Sequence, residues 1–235
     1  MLKGYKISEP FFEFGPKAYL YGRDLLALVK EIDKAANEFG IDVILDPQTV
    51  DIRLIAENTS PRIHVYAQHM DGIPVGRGMG TALAEALKEA GAVGVMLNHA
   101  EKKLTLEEIK TAIKRADEVG LATMVCADTS DEIREIAKFA PNIIVAEPSE
   151  LIGTGISPDR QYVERCISLV KEINPEIRVL PAAGISSGED CARMIRLGAS
   201  ATGSSSAIAC AKDKAGMAWE MISAVRRAYD EINNT

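Results

Sequence analysis

The sequence lacks the apolar segments that mark membrane and secreted proteins. A spanning helix needs roughly 18 or more consecutive apolar residues, and no run of that length occurs. The N-terminal stretch 1–6, Met-Leu-Lys-Gly-Tyr-Lys, also has no apolar signal core. We therefore expect a cytoplasmic protein with no membrane partner.

Residues that bind metals or form disulfides are also scarce. The chain has 3 histidines, none spaced with cysteines or carboxylates as metal ligands are, and its 4 cysteines contain no CxxC pair. Those cysteines are predicted to be reduced and mostly structural, as is usual inside cells: Cys126, Cys166, Cys191 and Cys210. We expect no metal and no cofactor.

An excess of basic residues is missing too. Lysine and arginine total 27 against 34 acidic residues, which gives a formal net charge of -7. This balance argues against binding to nucleic acid or to an anionic membrane surface. The hydrophobic fraction of 47% is ordinary for a packed globular protein.

What the chain does contain is a regular alternation of short apolar runs and amphipathic helices. The runs predicted to be strands are 11–14, 42–45, 63–67, 93–97, 122–127, 143–145, 177–181 and 201–204. The predicted helices are 19–39, 49–58, 81–90, 105–119, 130–139, 157–173, 187–197 and 214–232. Eight such units without a linker predict one domain, residues 1–235, folded as a closed (β/α)8 barrel. A doubly wound open sheet is the alternative, but the glycine fingerprint expected after its first strand is absent.

Several helix ends carry recognisable signals. Thr105 begins a capping box, and Gly40 suits the residue that follows a helix. Thr81 is predicted to cap the third helix and Ser130 the fifth, while Ser157-Pro158 is predicted to start the sixth.

Functional groups of a (β/α)8 barrel lie where its strands end. Those positions hold Lys17, Gln68, His99, Asp128, Glu147, Ser186 and the serines 204–206. Glu147 can remove a proton next to a carbonyl group, His99 can polarise that carbonyl, and Lys17 can hold an anion. A single histidine such as His99 is more often a structural residue of the core, and a single lysine such as Lys17 is usually exposed to solvent. The prediction therefore depends on both residues, together with Glu147, lying at strand ends.

Two further stretches favour a phosphorylated ligand. The segment after Glu147 reaches Gly153-Thr154-Gly155, a flexible sequence suited to a loop that closes over a substrate. The predicted phosphate-binding positions combine that loop, Lys17 and the turns after the last two strands: Lys17, Gly153, Ala183, Gly184, Ser186, Ser204, Ser205 and Ser206.

Motifs along nearly the whole chain resemble those of the triosephosphate isomerase family in its archaeal form. They are Leu97-Asn98-His99-Ala100-Glu101, the segment 146–155, the segment 51–58, Ala67-Gln68-His69 and the segment 183–190. The resemblance implies a TIM barrel, a phosphorylated small-molecule substrate, and a homo-oligomer, either a dimer or a tetramer. It also implies that Glu147 is the base, His99 the electrophile and Lys17 the active-site lysine.

The sequence departs from the family pattern around Lys17. The family has asparagine, an aromatic residue and lysine, whereas this chain has Gly15-Pro16-Lys17; the third loop has Arg77-Gly78-Met79-Gly80 instead of a glycine-bracketed His-Thr. Pro181-Ala182 and Ser206-Ala207 replace a Cys-Gly and a Ser-Gly. An isomerase of triose phosphate is therefore the first hypothesis. An isomerase of another sugar phosphate, such as a tetrulose phosphate, and a non-catalytic sugar-phosphate-binding relative are the alternatives.

Overall fold

Strand β1 is the starting point of the sheet, because it pairs in parallel with strands on both of its sides. In a computed structural model that describes residues 1–233, eight parallel strands follow the order β7-β6-β5-β4-β3-β2-β1-β8. They are β1 Phe11–Phe14, β2 Asp42–Leu45, β3 Ile63–Ala67, β4 Gly94–Leu97, β5 Ala122–Ala127, β6 Ile143–Ala146, β7 Arg178–Pro181 and β8 Ala201–Ser204. Every predicted strand is present.

Strands β7 and β8 stand at the two ends of this order, and two hydrogen bonds join them. The amide of Ser200 donates to the carbonyl of Val179 at 3.0 Å. The hydroxyl of Thr202 donates to the carbonyl of Pro181 at 3.0 Å. The sheet thus forms a nearly closed barrel, and the predicted TIM barrel is confirmed.

Helices surround this barrel and pack their apolar faces on it. They are α1 Gly22–Phe39, α2 Ile52–Ala56, α3 Ala84–Glu89, α4 Leu106–Val119, α5 Ser130–Lys138, α6 Arg160–Ile173, α7 Gly188–Arg196, α8 Ser206–Ala209 and α9 Lys214–Asn233. In the described range 1–233, no helix is both long enough and apolar enough to cross a bilayer.

Some helix ends lie where their signals predict. The Thr105 hydroxyl accepts from the amide of Glu108 at 3.3 Å, and the Glu108 carboxylate accepts from the amide of Thr105 at 2.7 Å, which completes the capping box. Gly40 and Gly120 end α1 and α4 in the left-handed conformation.

Other predicted helix starts are wrong by one to three residues. Helix α3 begins at Ala84, because the Thr81 hydroxyl donates to the carbonyl of Gly78 within its own turn. Helix α6 begins at Arg160, where Asp159 accepts from the amide of Tyr162 at 2.8 Å. The hydroxyl of Ser157, which lies just before α6, instead donates to the carboxylate of Asp190 in α7.

Four further differences complete the comparison of helices. Helix α1 starts at Gly22, three residues later than predicted, and Thr129 rather than Ser130 caps α5. The predicted helix 49–58 is a 3-10 turn, Thr49–Asp51, followed by the five-residue α2. The short helix α8 was not predicted, because its four residues form less than two turns.

The barrel interior is tightly packed around Tyr66. Its ring is fully buried, and a methyl group added to Gly94 on the neighbouring strand would overlap that ring. We predict that Gly94→Ala lowers the free energy of unfolding by about 1–3 kcal/mol, since overpacking displaces a buried side chain. Denaturant unfolding measures this change. Val93→Ala, at a half-exposed neighbour, is the control, and equal midpoints for the two variants would contradict this packing.

Candidate active site

One pocket at the carboxyl ends of the strands brings the predicted functional residues together. Its cavity has a volume of about 860 Å³, within the range of small-molecule sites. All ten predicted catalytic and phosphate-binding positions line it: Lys17, His99, Glu147, Gly153, Ala183, Gly184, Ser186, Ser204, Ser205 and Ser206.

Glu147 follows β6, and its carboxyl group is nearly enclosed by the pocket wall. Its backbone amide donates to the carbonyl of Ala127 on β5 at 3.0 Å, which fixes where the side chain leaves the barrel. Burial raises the pKa of Glu147 to about 7, although Lys17 acts in the opposite direction. A carboxylate with this pKa is suited to taking a proton near neutral pH.

His99 faces Glu147, and one hydrogen bond of its ring indicates its tautomer. Nδ1 accepts from the backbone amide of Glu101 at 3.1 Å, so in the neutral ring the proton is on Nε2. That Nε2 lies 3.6 Å from Oε2 of Glu147. Burial and the nearby charge of Lys17 lower the pKa of His99, so a neutral imidazole presents an N–H to the pocket.

Asn98 holds His99 in place from behind. It has a φ of 60°, a left-handed conformation that asparagine tolerates better than most residues. Its amide donates to the carbonyl of Cys126 and to Glu132, both at 2.9 Å, and its oxygen accepts from the amide of Leu104 at 2.9 Å. The side chain therefore connects β5 to the start of α4.

Lys17 occupies an unusual backbone position, with a φ of 49°. Two glutamine amides support it, because Gln48 and Gln68 donate to its carbonyl at 2.8 and 3.1 Å. Its ammonium group donates to Glu101 at 2.8 Å. The positive charge is thereby held next to His99 at the mouth of the pocket.

The serines of the predicted phosphate site differ in their free hydrogen-bonding groups. The amide and the hydroxyl of Ser186 both donate to Asp190 at 3.1 Å, and the Ser204 hydroxyl donates to the carbonyl of Ile185 at 2.9 Å. The buried Ser205 hydroxyl has no partner within residues 1–233. Ser205 is thus the one of these three with an unused hydroxyl.

The loop after Glu147 is attached at both ends. Asp128, which does not line the pocket, accepts from the amide and the hydroxyl of Ser149 at 3.1 and 2.5 Å. At the other end, a methyl group on Gly184 would overlap the backbone of Ile156. Gly153 and Gly155 between these points have positive φ and open space beside them, a backbone conformation that glycine adopts without strain.

The sequence comparisons decide the family. A sequence model described as Triosephosphate isomerase matches residues 16–215. The chain belongs to the triosephosphate isomerase family. It is 39% identical over 214 residues to a triosephosphate isomerase of Methanobacterium bryantii, an alignment that covers 89% of this chain and 94% of that one.

Two other archaeal relatives show that the match extends along the barrel. The Methanocaldococcus jannaschii triosephosphate isomerase is 42% identical over 177 residues, covering 74% of this chain and 80% of that one. The Saccharolobus solfataricus triosephosphate isomerase is 35% identical over 227 residues, covering 94% and 99%. The family resemblance read from the motifs is confirmed.

Two acidic residues of the pocket were missed by sequence reasoning. Glu13 and Asp46 line the floor of the pocket. In the sequence, Glu13 lies within the first predicted strand and Asp46 directly follows the second, and neither was predicted to be a site residue. A single carboxylate in the apolar run Phe11–Phe14 was the available signal for Glu13. Glu13 also lies beside Gly15, where the triosephosphate isomerase pattern has asparagine. A β-carbon there would lie 2.8 Å from Oε1 of Glu13, so the Glu13 side chain would have to shift.

The raised pKa of Glu147 predicts an observable titration. Because only the ionised carboxylate accepts a proton, we expect kcat/KM to rise with pH through about 7 and to fall about tenfold per pH unit below it. The phosphate of the substrate titrates near 6, so the carboxyl group is also followed directly by ¹³C NMR in the free protein. Its signal is assigned by its loss in Glu147→Gln. A midpoint near 4.5 would contradict the burial described here.

Proposed function

We propose that this protein is an aldose-ketose isomerase of triose phosphate, which interconverts glyceraldehyde 3-phosphate and dihydroxyacetone phosphate as in glycolysis and gluconeogenesis. One observation carries the proposal: a buried carboxylate with a pKa of about 7 lies 3.6 Å from the Nε2 of a neutral histidine. Lys17 adds a positive charge in the same pocket. Base, hydrogen-bond donor and cation together are what an enediolate reaction requires.

The proposed reaction moves one proton between two neighbouring carbons and a second proton between their oxygens. Glu147 takes a proton from the carbon next to the carbonyl, while the Nε2–H of His99 donates to the carbonyl oxygen. The electron pair of the broken C–H bond forms the carbon–carbon double bond of the enediolate, and Lys17 stabilises its negative charge. Glu147 then returns the proton to the former carbonyl carbon. The oxygen on that carbon gains the proton of the neighbouring hydroxyl group through His99, and the carbonyl reforms at the carbon that was deprotonated.

The phosphate is proposed to bind at the strand-end positions that the sequence predicts, all of which line the pocket. Lys17, Gly153, Ala183, Gly184, Ser186, Ser204, Ser205 and Ser206 all remain candidates. The free hydroxyl of Ser205 favours this residue as a donor, whereas Ser186 would contribute only after releasing Asp190.

Steady-state assays with three- to five-carbon aldose and ketose phosphates test the proposed function. We expect triose phosphate to react with a kcat/KM on the order of 10⁴ M⁻¹s⁻¹ or above. If no member of the panel reacts, the function is not isomerisation. Calorimetry with inorganic phosphate then tests the non-catalytic binding alternative.

We also propose that the protein assembles as a homo-oligomer in the cytoplasm. Exposed apolar side chains on the third loop and near the start of α1 support a protein contact: Val75, Met79 and Tyr21. The four unpaired cysteines suit a reducing compartment. Light scattering coupled to size exclusion distinguishes a dimer or a tetramer from a monomer, and a monomer at all concentrations would contradict the assembly.

A further inference from the structure

The floor of the pocket holds a pair of acids for which the proposed chemistry has no use. Glu13 on β1 and Asp46 after β2 lie at the same end of adjacent strands, since the amide of Asp46 donates to the carbonyl of Phe14 at 3.3 Å. Both side chains line the pocket although they are 8% and 1% exposed. Buried carboxyl groups are costly unless they have partners.

Asp46 is short of such partners. Neither of its carboxyl oxygens meets a hydrogen-bond donor within residues 1–233. The carboxyl group of Glu13 is beside it, but two carboxyl groups bond to each other only if one of them keeps a proton. Burial and the proximity of Asp46 raise the pKa of Glu13, and burial raises the pKa of Asp46 to about 7. The pair therefore offers a donor and acceptors together at neutral pH.

The carboxyl group of Glu13, which lines the pocket, packs closely against two glycines. A β-carbon on Gly203 would overlap Oε2, and one on Gly15 would lie 2.8 Å from Oε1. Because these two residues have no side chains, they leave room for the carboxyl group of Glu13. Both glycines line the same pocket. Side chains at either position would displace Glu13.

The neighbouring charges define what this floor can bind. Glu147 and Asp46 raise the pKa of Glu13 by their negative charge, and Lys17 lowers it. A second anionic group would be repelled there, so the phosphate belongs elsewhere in the pocket. A group that both donates and accepts, such as a hydroxyl, fits a carboxyl pair that shares one proton.

We propose that Glu13 and Asp46 form a hydroxyl-binding subsite, which extends the substrates from triose phosphate to a four-carbon sugar phosphate with one further hydroxyl group. The inference rests on the proposed function for the placement of the reacting atoms. In a triose phosphate, His99, Lys17 and Glu147 account for the two reacting carbons and their oxygens. The acid pair then has no substrate group left, and an additional hydroxyl supplies one.

Unreactive probes test the subsite separately from catalysis. Calorimetry compares erythritol 4-phosphate, glycerol 3-phosphate and inorganic phosphate. We expect the four-carbon probe to bind about 10- to 100-fold more tightly than the three-carbon probe, which is the effect of hydrogen bonds to a charged group. Glu13→Leu should remove this preference and leave the affinity for inorganic phosphate within about twofold. A preference that is absent in the unmodified protein, or that survives in Glu13→Leu, overturns the inference.

Matched variants separate binding from folding. Asp46→Ala should also lose the preference, and it keeps the test decisive if Glu13→Leu does not fold. Asp42→Asn is the control, because Asp42 is a buried acid at the opposite end of β2 and pairs with Arg62 at 3.1 Å. It should lower stability and leave the preference intact. Equal losses in Asp42→Asn and Asp46→Ala would show a general effect on folding and overturn the subsite.

Turnover measurements keep the two proposals distinguishable. If four-carbon and triose phosphates both react and only the former depends on Glu13, both proposals stand. If no sugar phosphate reacts but the binding preference still depends on Glu13, the isomerase function fails while the subsite stands. If triose phosphate reacts and the four-carbon probe has no preference, the subsite fails alone.

Discussion

Glu147→Gln is expected to lower kcat about 10²- to 10⁴-fold with little change in KM. Glutamine has nearly the same shape as glutamate but cannot accept the substrate proton, and loss of a general base has an effect of this size. The folded protein should not suffer, since the change removes a buried charge. Steady-state kinetics with triose phosphate measure both constants.

Glu150→Gln is the matched control for this variant. Glu150 is an exposed glutamate three residues further along the same loop and does not line the pocket. Its kcat should stay within about twofold of that of the unmodified protein, as expected for a surface substitution. Equal activities of the two variants would remove Glu147 from the role of base.

Lys17→Met is expected to lower kcat/KM about 10²- to 10³-fold, the usual effect of losing one group that stabilises developing negative charge. Methionine keeps the length and the apolar stem of lysine without its charge. A second readout is independent of turnover. Lys17 lowers the pKa of Glu147 and that of His99, so both values should rise in the variant.

Lys103→Met controls for the loss of a nearby positive charge. Lys103 lies four residues after His99, pairs with Glu132 at 3.3 Å and does not line the pocket. We expect a change in kcat/KM of less than about threefold, because the partly exposed Lys103 is screened by solvent and lowers the pKa of Glu147 and His99 less than Lys17 does. If Lys17→Met is as active as this control, Lys17 takes no part in the reaction.

The barrel could be predicted from the sequence because each strand is a short apolar run with clear limits. Pro148, which closely follows β6, and Gly120, which ends α4, are local signals that need no knowledge of the rest of the fold. The strand-end rule then placed His99, Glu147 and Lys17 in one pocket. The positions of these three residues could be predicted because they depend only on where each strand ends.

The features that were missed depend on contacts between distant segments. Ser157 carries a local signal for a helix start, but its hydroxyl donates to Asp190, 33 residues away. Glu13 and Asp46 meet because β1 and β2 pair in one particular register, which no local pattern shows. The sequence shows Gly15 only as a departure from the family pattern, and the structure adds that a side chain there would displace the Glu13 carboxyl group.

Isomerisation in D₂O tests the central claim most directly. If Glu147 removes and returns the proton through an enediolate, its carboxyl group exchanges with solvent between the two steps. Dihydroxyacetone phosphate converted by the protein should therefore acquire deuterium at the carbon that receives the proton, as followed by ¹H NMR, and in Glu147→Gln both turnover and exchange should be slower by about 10²- to 10⁴-fold. Product formed without deuterium, or deuterium incorporation in Glu147→Gln at the rate of the unmodified protein, would contradict the assignment of Glu147 as the base.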